Sequence, residues 1–325
     1  MRRRAGLVLL AFAVFFAALS PLLRWYAFPR LAKIPPSQYQ ETVLEAKPAT
    51  LLDYSTLTAK KVDKLTIVQT LKGNVEESER IERTAGRDVV VWDALSYVQG
   101  PDGKMVSKIP ERYIFDAHSQ DPVHATGEMV DGDPVTRDGI EFKWPFLTEK
   151  RDYQYFDAQT RTSSPIHYRG TRTFHGLEVY YFEQTVPWTE VPMPKTMPIK
   201  GITPQQIART GMTRWYTTKR MFWVDPVTGA PVNGEEIHRE EMRNAKAMGM
   251  PQDTVTVFAG HVKMRADYVD SIVDLVKSQR LLVLLLTSYL PWGFLALAAV
   301  LLALALWLEA RSRRPVPAQA PPTPA

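Results

Sequence analysis

Two long stretches without a charged residue, one near each end, constrain this chain more than any other feature. Residues 5–23 are 19 consecutive uncharged residues, and residues 281–308 are 28. As helices they would extend about 28 Å and about 42 Å, whereas the hydrocarbon core of a bilayer is about 30 Å thick. Both are therefore predicted to cross a membrane, the second with tilt or a later start.

The first stretch also fits a second interpretation. Arg2 to Arg4 precede it and small residues lie near Ala17 and Ala18, as in a cleaved secretory signal. Its 19 uncharged residues exceed the roughly 7 to 15 of a signal core, which favours a retained anchor.

Two crossings place both termini on one side of the membrane and residues 24–280 on the other. The termini carry Arg2 to Arg4 and, after the second stretch, Arg311, Arg313 and Arg314. Short basic segments stay in the cytoplasm, whereas long loops translocate largely regardless of charge. We therefore expect a two-helix cell-membrane protein with both termini cytoplasmic and its main domain extracytoplasmic.

The formal net charge of +5 resides in these termini. They hold six of the 40 Lys and Arg residues and one of the 35 Asp and Glu residues, which leaves 34 of each between them. A neutral middle gives no indication of a nucleic-acid partner, so the expected partner is the lipid bilayer. The lack of cysteine excludes disulfides, Cys-ligated zinc, iron–sulfur clusters and thiol catalysis.

The chain is thus divided into six segments. They are a cytoplasmic basic start (1–4), a transmembrane helix (5–23), an extracytoplasmic β-rich domain (24–264), an amphipathic juxtamembrane helix (265–280), a transmembrane helix (281–308) and a cytoplasmic Pro-rich tail (309–325).

The middle segment is predicted to be mainly β. Runs of β-branched and aromatic residues alternate with turn signals such as Gly100-Pro101-Asp102-Gly103. The predicted strands are 65–71, 89–98, 112–115, 153–156, 177–186, 213–224 and 253–264. The predicted fold class is a membrane-anchored, mainly β protein with a large antiparallel β-rich extracytoplasmic domain between N- and C-terminal transmembrane helices.

One pattern recurs three times within these strands. An aromatic strand end is followed by an aspartate and, six to eight residues later, by a proline. The aspartates are Asp116, Asp157 and Asp225, and the prolines are Pro122, Pro165 and Pro231. Because an Asp side chain can accept hydrogen bonds from the backbone of a turn, each copy is interpreted as a hairpin whose second strand opens at the proline. Calcium binding is the alternative, but the alternating oxygen ligands of a cation loop are missing.

Two helices are predicted in the same region, at 203–210 and 265–280. The first starts with Thr203-Pro204, a helix cap followed by proline. The second carries an apolar stripe at i, i+3, i+4 and i+7. Its members are Val269, Ile272, Val273 and Val276. We interpret this stripe as a candidate contact with the membrane surface, and packing on the outer domain is the alternative. Residues 234–249 are ambiguous between strand and helix.

The segment 186–204 holds five prolines, which exclude a helix or a central strand. Trp188, Met193 and Met197 lie between these prolines and are the candidate contacts with a lipid or a partner, since Met provides adaptable apolar contact. The alternative is a proline-rich crossover that packs over the sheet.

No motif indicates catalysis, a cofactor or a metal. The six histidines are not spaced four apart, and neither a Gly-x-Ser-x-Gly turn nor a phosphate-binding glycine loop occurs. Neighbouring carboxylates are interpreted as solvated faces, and a catalytic pair of carboxyl groups is the alternative. They are Glu76, Glu77 and Glu79, the pair Glu235 and Glu236, and the pair Glu240 and Glu241. We expect a non-enzymatic protein with no cofactor.

The complete arrangement resembles the actinobacterial PorA-type porin family. The resemblance is carried by the Arg-led N-terminal helix, the cysteine-free β-rich middle with its Phe-Trp-Val-Asp-Pro-Val-Thr-Gly hairpin at 222–229, and the C-terminal helix with its basic tail. It implies an integral cell-envelope protein for which channel formation has been proposed, and it supplies no functional residues. An outer-membrane barrel would instead need many alternating strands and no terminal helices.

Three functions follow as alternatives. The first is a channel or another component of envelope transport; because neither apolar stretch holds an ionisable residue, its pore would require a homo-oligomer. The second is an anchored domain that binds or passes a lipid or another envelope component, with a layout similar to that of class B scavenger receptors. The third is an envelope enzyme, for which no site is recognisable.

Overall fold

The computed structural model describes residues 2–53, 56, 58–196, 203–244 and 254–312. Contacts divide the chain into two units. One comprises both ends, Met1–Ala32 with Leu281–Ala325, and the other is Lys33–Arg280.

The unit formed by the two ends is helical. Its N-terminal part consists of α1 (Arg2–Pro21), a π-helical segment (Leu22–Ala27) and α2 (Phe28–Leu31). Its C-terminal part consists of the last turn of α5 (Ala266–Leu284), a second π-helical segment (Leu285–Tyr289) and α6 (Leu290–Ser312). Most of α5 belongs to the other unit. Both stretches, Arg4–Leu31 and Ala266–Arg311, are long and apolar enough to cross a membrane, as judged by length and composition.

The helices α1 and α6 pack against each other in opposite directions. Gly6 lies beside Ala305, and the ring centres of Phe16 and Phe294 are 5.5 Å apart. Arg24, in the first π-helical segment, donates a hydrogen bond to the backbone carbonyl of Thr287 in the second. This bond satisfies a carbonyl that the widened helical turn leaves available.

Exposed aromatic side chains occur near both ends of this helix pair. Trp25, Tyr26, Tyr289 and Trp292 lie near one end, and Trp307 lies near the other. Trp and Tyr concentrate at the two membrane–water interfaces because their rings are apolar and their N–H or O–H groups are polar. This distribution adds to length and composition as an indication that the helices cross a membrane.

The unit Lys33–Arg280 is built on one antiparallel sheet of 13 described strands. They are β1 (Tyr39–Asp53), β2 (Thr58–Val62), β3 (Leu65–Gly73), β4 (Val89–Gln99), β5 (Met105–Asp116), β6 (Met129–Val130), β7 (Asp133–Pro134), β8 (Tyr153–Asp157), β9 (Thr162–Phe174), β10 (Leu177–Val191), β11 (Met212–Val224), β12 (Pro231–Asn244) and β13 (Thr254–Met264). Their order is β7-β6-β5-β4-β3-β1-β13-β12-β11-β10-β9-β8, and β2 pairs separately with β1. The fold is thus a large antiparallel β-domain between two long apolar terminal helices.

The sheet curves until its two end regions meet. Ile140, which follows β7, lies parallel to Tyr155 in β8. The Ile140 N–H donates to the Gln154 carbonyl at 2.9 Å, and the Phe156 N–H donates to the Ile140 carbonyl at 3.1 Å. Because β7 and β8 are the two ends of the strand order, this segment closes the sheet around an interior.

Aromatic side chains fill both regions beside the closure. Trp92, Tyr113 and Phe115 form one buried cluster on β4 and β5. Trp144 enters a second cluster with Phe182, their ring centres being 5.2 Å apart. Its backbone is held by the Gly229 carbonyl, which accepts from the Trp144 N–H at 2.9 Å. Gly229 has a φ of 72°, and an added Cβ would lie 2.1 Å from the Trp144 carbonyl oxygen, so only glycine fits there.

Each of the seven predicted strands overlaps a strand of the structure, but the prediction differs from the structure in several places. The strands β1, β2, β6, β7 and β9 were not predicted, and β5 begins at Met105 rather than at residue 112. The ambiguous segment 234–249 is strand β12 as far as Asn244, the rest lying outside the described residues. The predicted end of β10 at residue 186 is wrong, because the strand continues through Pro187 to Val191. A shift of register between Val186 and Thr189 accommodates the missing proline N–H.

The predicted helix at 203–210 is present as α4 (Pro204–Arg209). A helix that was not predicted, α3 (Val75–Ala85), follows β3. The Asn74 side chain accepts a hydrogen bond from the Glu77 N–H at 3.2 Å, and Gly86 ends the helix with a φ of 66°. These cap signals were present in the sequence. The acidic residues of this segment had been interpreted only as a solvated face.

The repeated aspartate pattern is confirmed as one turn used three times. In each copy the Asp carbonyl accepts from the N–H four residues later, and the Asp carboxylate accepts from the N–H three residues later. The turns are 116–120, 157–161 and 225–229. Of the three prolines only Pro231 opens a strand, β12. The turns are thus held by aspartate side chains, which explains the pattern without a cation.

The apolar stripe on α5 packs against the sheet domain. Val269, Val273 and Val276 are buried in contact with Leu177, Val179 and Val232, and Ile272 packs beside them. Burial against the sheet, rather than contact with the membrane surface, therefore accounts for the stripe. At the end of the stripe, Arg280 donates to the Asp225 carboxylate at 2.7 Å, which joins the helix to the third aspartate turn.

We predict that Val273→Ser destabilises the sheet domain. The substitution removes apolar volume from a buried contact and adds a hydroxyl there, which should cost about 2 to 3 kcal/mol. Leu275→Ser is the control, because Leu275 lies on the same helix and is 49 % exposed. The midpoint of thermal unfolding of the full chain should fall for the first variant and stay nearly unchanged for the second. Equal effects would contradict the packing role of the stripe.

Candidate functional site

The curved sheet encloses a cavity of about 700 Å³. Its volume lies within the range of about 300 to 1,000 Å³ that is usual for ligand pockets. Most of its wall is apolar. The apolar side chains of the wall come from β1, β3, β4, β11 and β13. They include Leu44, Ile67, Val98, Phe222, Phe258 and Val262. The interior therefore offers an apolar ligand a largely apolar wall.

Uncharged polar side chains form a row across three neighbouring strands of this wall. Thr42 on β1 lies opposite Gln69 on β3, and Gln69 lies opposite Ser96 on β4. The Gln69 amide donates to the Ser96 hydroxyl at 3.3 Å, and the Thr42 hydroxyl is 3.1 Å from the hydroxyl of Tyr268. We call Thr42, Gln69 and Ser96 the uncharged polar row. It offers hydroxyl and amide groups to the cavity.

Charged side chains from β11 and β12 occupy a different part of the wall, and Asp157 at the end of β8 pairs with them. We call them the charged row: Asp157, Arg214, Arg220, Glu236, His238 and Glu240. All but Asp157 line the cavity. Alternate residues of a strand face the same side, which places the members of β12 two residues apart. Each basic member is in contact with at least one acidic member.

The contacts within the charged row are short and reciprocal. The Arg214 Nε donates to Glu240 Oε2 at 3.0 Å, and the Arg220 Nη2 donates to the Asp157 carboxylate at 2.8 Å. His238 lies between two carboxylates: Nδ1 is 2.8 Å from Glu236 Oε1, and Nε2 is 2.8 Å from Glu240 Oε1. Burial is tolerated because every charge has an opposite charge within hydrogen-bonding distance.

The pKa values in this row follow from the pairing. Burial alone would lower the pKa of His238, but the hydrogen bonds to Glu236 and Glu240 raise it to about 9. Burial alone would raise the pKa of Glu240, but Arg214 and His238 lower it to about 2. His238 is therefore an imidazolium at neutral pH, and the row holds three positive and three negative charges.

A second buried group of charges lies at the sheet closure. We call Glu111, Glu128, Arg137 and Glu141 the Arg137 cluster. Arg137 has no exposed side-chain surface and donates to Glu111 at 3.0 Å and to Glu141 at 2.8 Å, while its Nη1 is 3.7 Å from Glu128. Glu111 and Glu141 also line the cavity.

Three carboxyl groups share one guanidinium here, so they cannot all be ionised cheaply. Burial raises the pKa of Glu128 to about 7, and it raises the pKa of Glu111 well above the usual range. Glu128 Oε1 also has no hydrogen-bond partner. The cluster therefore retains protons at neutral pH.

The sequence-derived candidate contacts are separated by the structure. Met193 lines the cavity. Trp188 lies outside the cavity wall, where the Arg243 guanidinium is 4.3 Å from its ring centre. Met197 lies outside the described residues.

The solvated-face interpretation was wrong for one pair of carboxylates. Glu240 and Glu241 are only 6 % and 9 % exposed, and Glu236 lies against Arg220 and His238. The one available signal was the alternation of Glu236, His238 and Glu240, since charged residues two apart share one strand face. Which face of β12 points inward depends on the curvature of the sheet. Within the described part of the chain, no group of three or more His, Asp or Glu side chains could hold a metal ion.

We predict that His238 makes stability fall as pH rises. Because its folded-state pKa of about 9 exceeds the ordinary 6.5, protonated His238 stabilises the fold; the contribution is complete below pH 6.5 and is lost as pH rises through about 9. Between pH 6.5 and about pH 9 the free energy of unfolding of wild type should fall by up to about 3 kcal/mol on account of His238, and His238→Gln should remove this fall. Thermal unfolding at both pH values tests this, with His261→Gln, whose side chain is 42 % exposed, as the control. If the stability of wild type falls no more between these two pH values than that of His238→Gln, the role of His238 is refuted.

Comparison with known proteins completes the description of the chain. A family model described as Porin PorA matches residues 5–307. A Porin PorA of Corynebacterium resistens is 27 % identical over 213 residues, covering 46 % of this chain and 51 % of the relative. A Porin PorA of Corynebacterium amycolatum is 24 % identical over 229 residues, covering 58 % of each chain. The chain thus spans between half and three fifths of the length of these relatives. Since the family model extends over both terminal helices and the whole sheet domain, the chain belongs to the Porin PorA family.

Proposed function

We propose that this chain is an integral protein of the cell envelope whose sheet domain binds an apolar ligand, such as a lipid chain, inside its cavity. The observation that carries the proposal is the apolar interior of about 700 Å³. A folded domain does not keep so large an apolar cavity without cost, because empty space forfeits packing contacts. A ligand that fills the interior would recover them.

The membrane topology is part of this proposal. Both termini lie in the cytoplasm and the sheet domain lies outside, because the short basic tails are retained on the cytoplasmic side. The two apolar helices then hold the cavity-containing domain at the membrane that supplies its ligand. No chemical step is required of such a domain, so it functions without enzymatic activity.

We predict that Val106→Trp reduces ligand occupancy. Val106 lines the cavity, whereas the neighbouring Met105 is 54 % exposed and is not one of the lining residues. Native mass spectrometry of the full chain in a mild detergent should find a bound amphiphile in wild type and in Met105→Trp, and much less in Val106→Trp. Equal occupancy in all three proteins would refute binding in the cavity. A wild-type protein that is empty and also fails to take up added monooleoylglycerol would refute the proposal itself.

Channel formation is the second candidate, and the observation that favours it is the name porin carried by both relatives. The described helix pair gives it little support, since α1 and α6 contact each other through apolar residues such as Phe16 and Phe294. A pore would thus require several copies of the chain. Stepwise conductance of the purified protein in a planar bilayer, lost when residues 290–312 are replaced by polyleucine, would support this candidate over the first. Absence of conductance would exclude it.

A further inference from the structure

The charges around the cavity bear on which ligand it accepts, provided that it binds an apolar ligand as proposed above. Basic side chains that line the cavity are Arg214, Arg220 and His238, as far as the described residues show. Each is already engaged: Arg214 by Glu240, Arg220 by Asp157 and Glu236, and His238 by both glutamates. None retains an uncompensated positive charge.

The Arg137 cluster adds no positive surplus either. Its single guanidinium faces three carboxyl groups, and the two that line the cavity are Glu111 and Glu141. Together with the charged row, six carboxyl groups surround four basic groups. An anionic head group placed in this interior would leave water and meet carboxylates, and among the described residues of the wall it would find no free cation. Such a transfer is costly in a low-dielectric environment.

An uncharged head group can be hydrogen-bonded in this cavity without needing a counter-charge. The uncharged polar row supplies the hydroxyls of Thr42 and Ser96 and the amide of Gln69 within the same cavity. These groups can donate and accept hydrogen bonds, and they require no counter-charge. A cationic head group gains little, because the surplus carboxyls of the Arg137 cluster share protons instead of carrying full negative charge.

We propose that the cavity selects uncharged amphiphiles, in which an apolar chain carries a hydroxyl- or ester-bearing head, and excludes anionic amphiphiles with the same chain. The uncharged polar row binds the head group, and the charged row, neutral in itself, provides the discrimination. The ion pairs of the wall compensate one another, so the wall disfavours an anionic head group and tolerates an uncharged one.

Two probes that differ only by a phosphate test this selection. Monooleoylglycerol is uncharged, and oleoyl lysophosphatidate carries the same acyl glycerol with an anionic phosphate. Full-length protein in a non-ionic amphipol at about pH 6.5 is loaded with radiolabelled monooleoylglycerol, which either unlabelled compound then displaces. Half-displacement should require a concentration of lysophosphatidate at least about tenfold higher than that of unlabelled monooleoylglycerol, because the phosphate charge has no partner in the wall.

The charged row can be altered to reverse the discrimination. Glu240→Gln removes a carboxylate from Arg214 and from His238 and gives the row a positive surplus, so lysophosphatidate should bind about tenfold more tightly than in wild type. Binding of monooleoylglycerol is measured in parallel and shows whether the variant still takes up a ligand. Glu183→Gln is the matched control, because Glu183 pairs with Lys219 and Arg169 away from the cavity lining. Glu236→Gln, which removes one carboxylate from Arg220 and one from His238, serves if the first variant does not fold.

Three outcomes would each overturn a different claim: the selection, the role of the charged row, or the proposed function. Equal or tighter binding of lysophosphatidate by wild type overturns the selection while leaving ligand binding in the cavity intact. A Glu240→Gln protein that binds monooleoylglycerol and still rejects lysophosphatidate overturns the role of the charged row. A wild-type protein that never takes up labelled monooleoylglycerol overturns the proposed function, and the selection with it.

Discussion

The closure of the sheet combines the backbone pairing of Ile140 with β8 and the ion pairs of one buried guanidinium. Arg137 reaches Glu111 on β5 and Glu141 beside β8, and its guanidinium lies 4.6 Å from the ring centre of Phe156. It thereby reinforces the closure that the backbone hydrogen bonds between Ile140 and β8 make. A buried charge that loses a partner is strongly destabilising, so this cluster holds together only when all its members are in place. The interior exists because this junction does.

The same requirement shapes the cavity wall. Charges on β11 and β12 can face an apolar space only as compensated pairs, since an isolated ion there would be far too costly. The resulting row is polar yet neutral, and it faces apolar strands across the interior. Rigid pairs of this kind keep their geometry when the cavity is empty, because each contact is satisfied within the protein. A ligand then meets a wall that is already formed.

Much of the fold could be predicted because its signals are local. Apolar and aromatic runs marked seven strands, and an aspartate near a strand end marked three identical turns. The misses have equally local causes: a register shift carried β10 past Pro187, and the caps of α3 at Asn74 and Gly86 were overlooked. The site could not be predicted in this way. Glu240 and His238 are inward-facing through the pairing of β12 with two neighbours, and no short segment contains that information.

By itself, the sequence determined the terminal apolar helices and the β-rich character of the middle, because length, charge distribution and side-chain periodicity act along the chain. It also determined the turns, whose aspartates bond to backbone within four residues. The tertiary structure alone decided that the α5 stripe is buried against the sheet and that the sheet closes around a cavity. It also decided that six ionisable side chains from β8, β11 and β12 compensate one another. Those outcomes depend on contacts between residues far apart in sequence, whose partners are fixed only when the strands pair and curve.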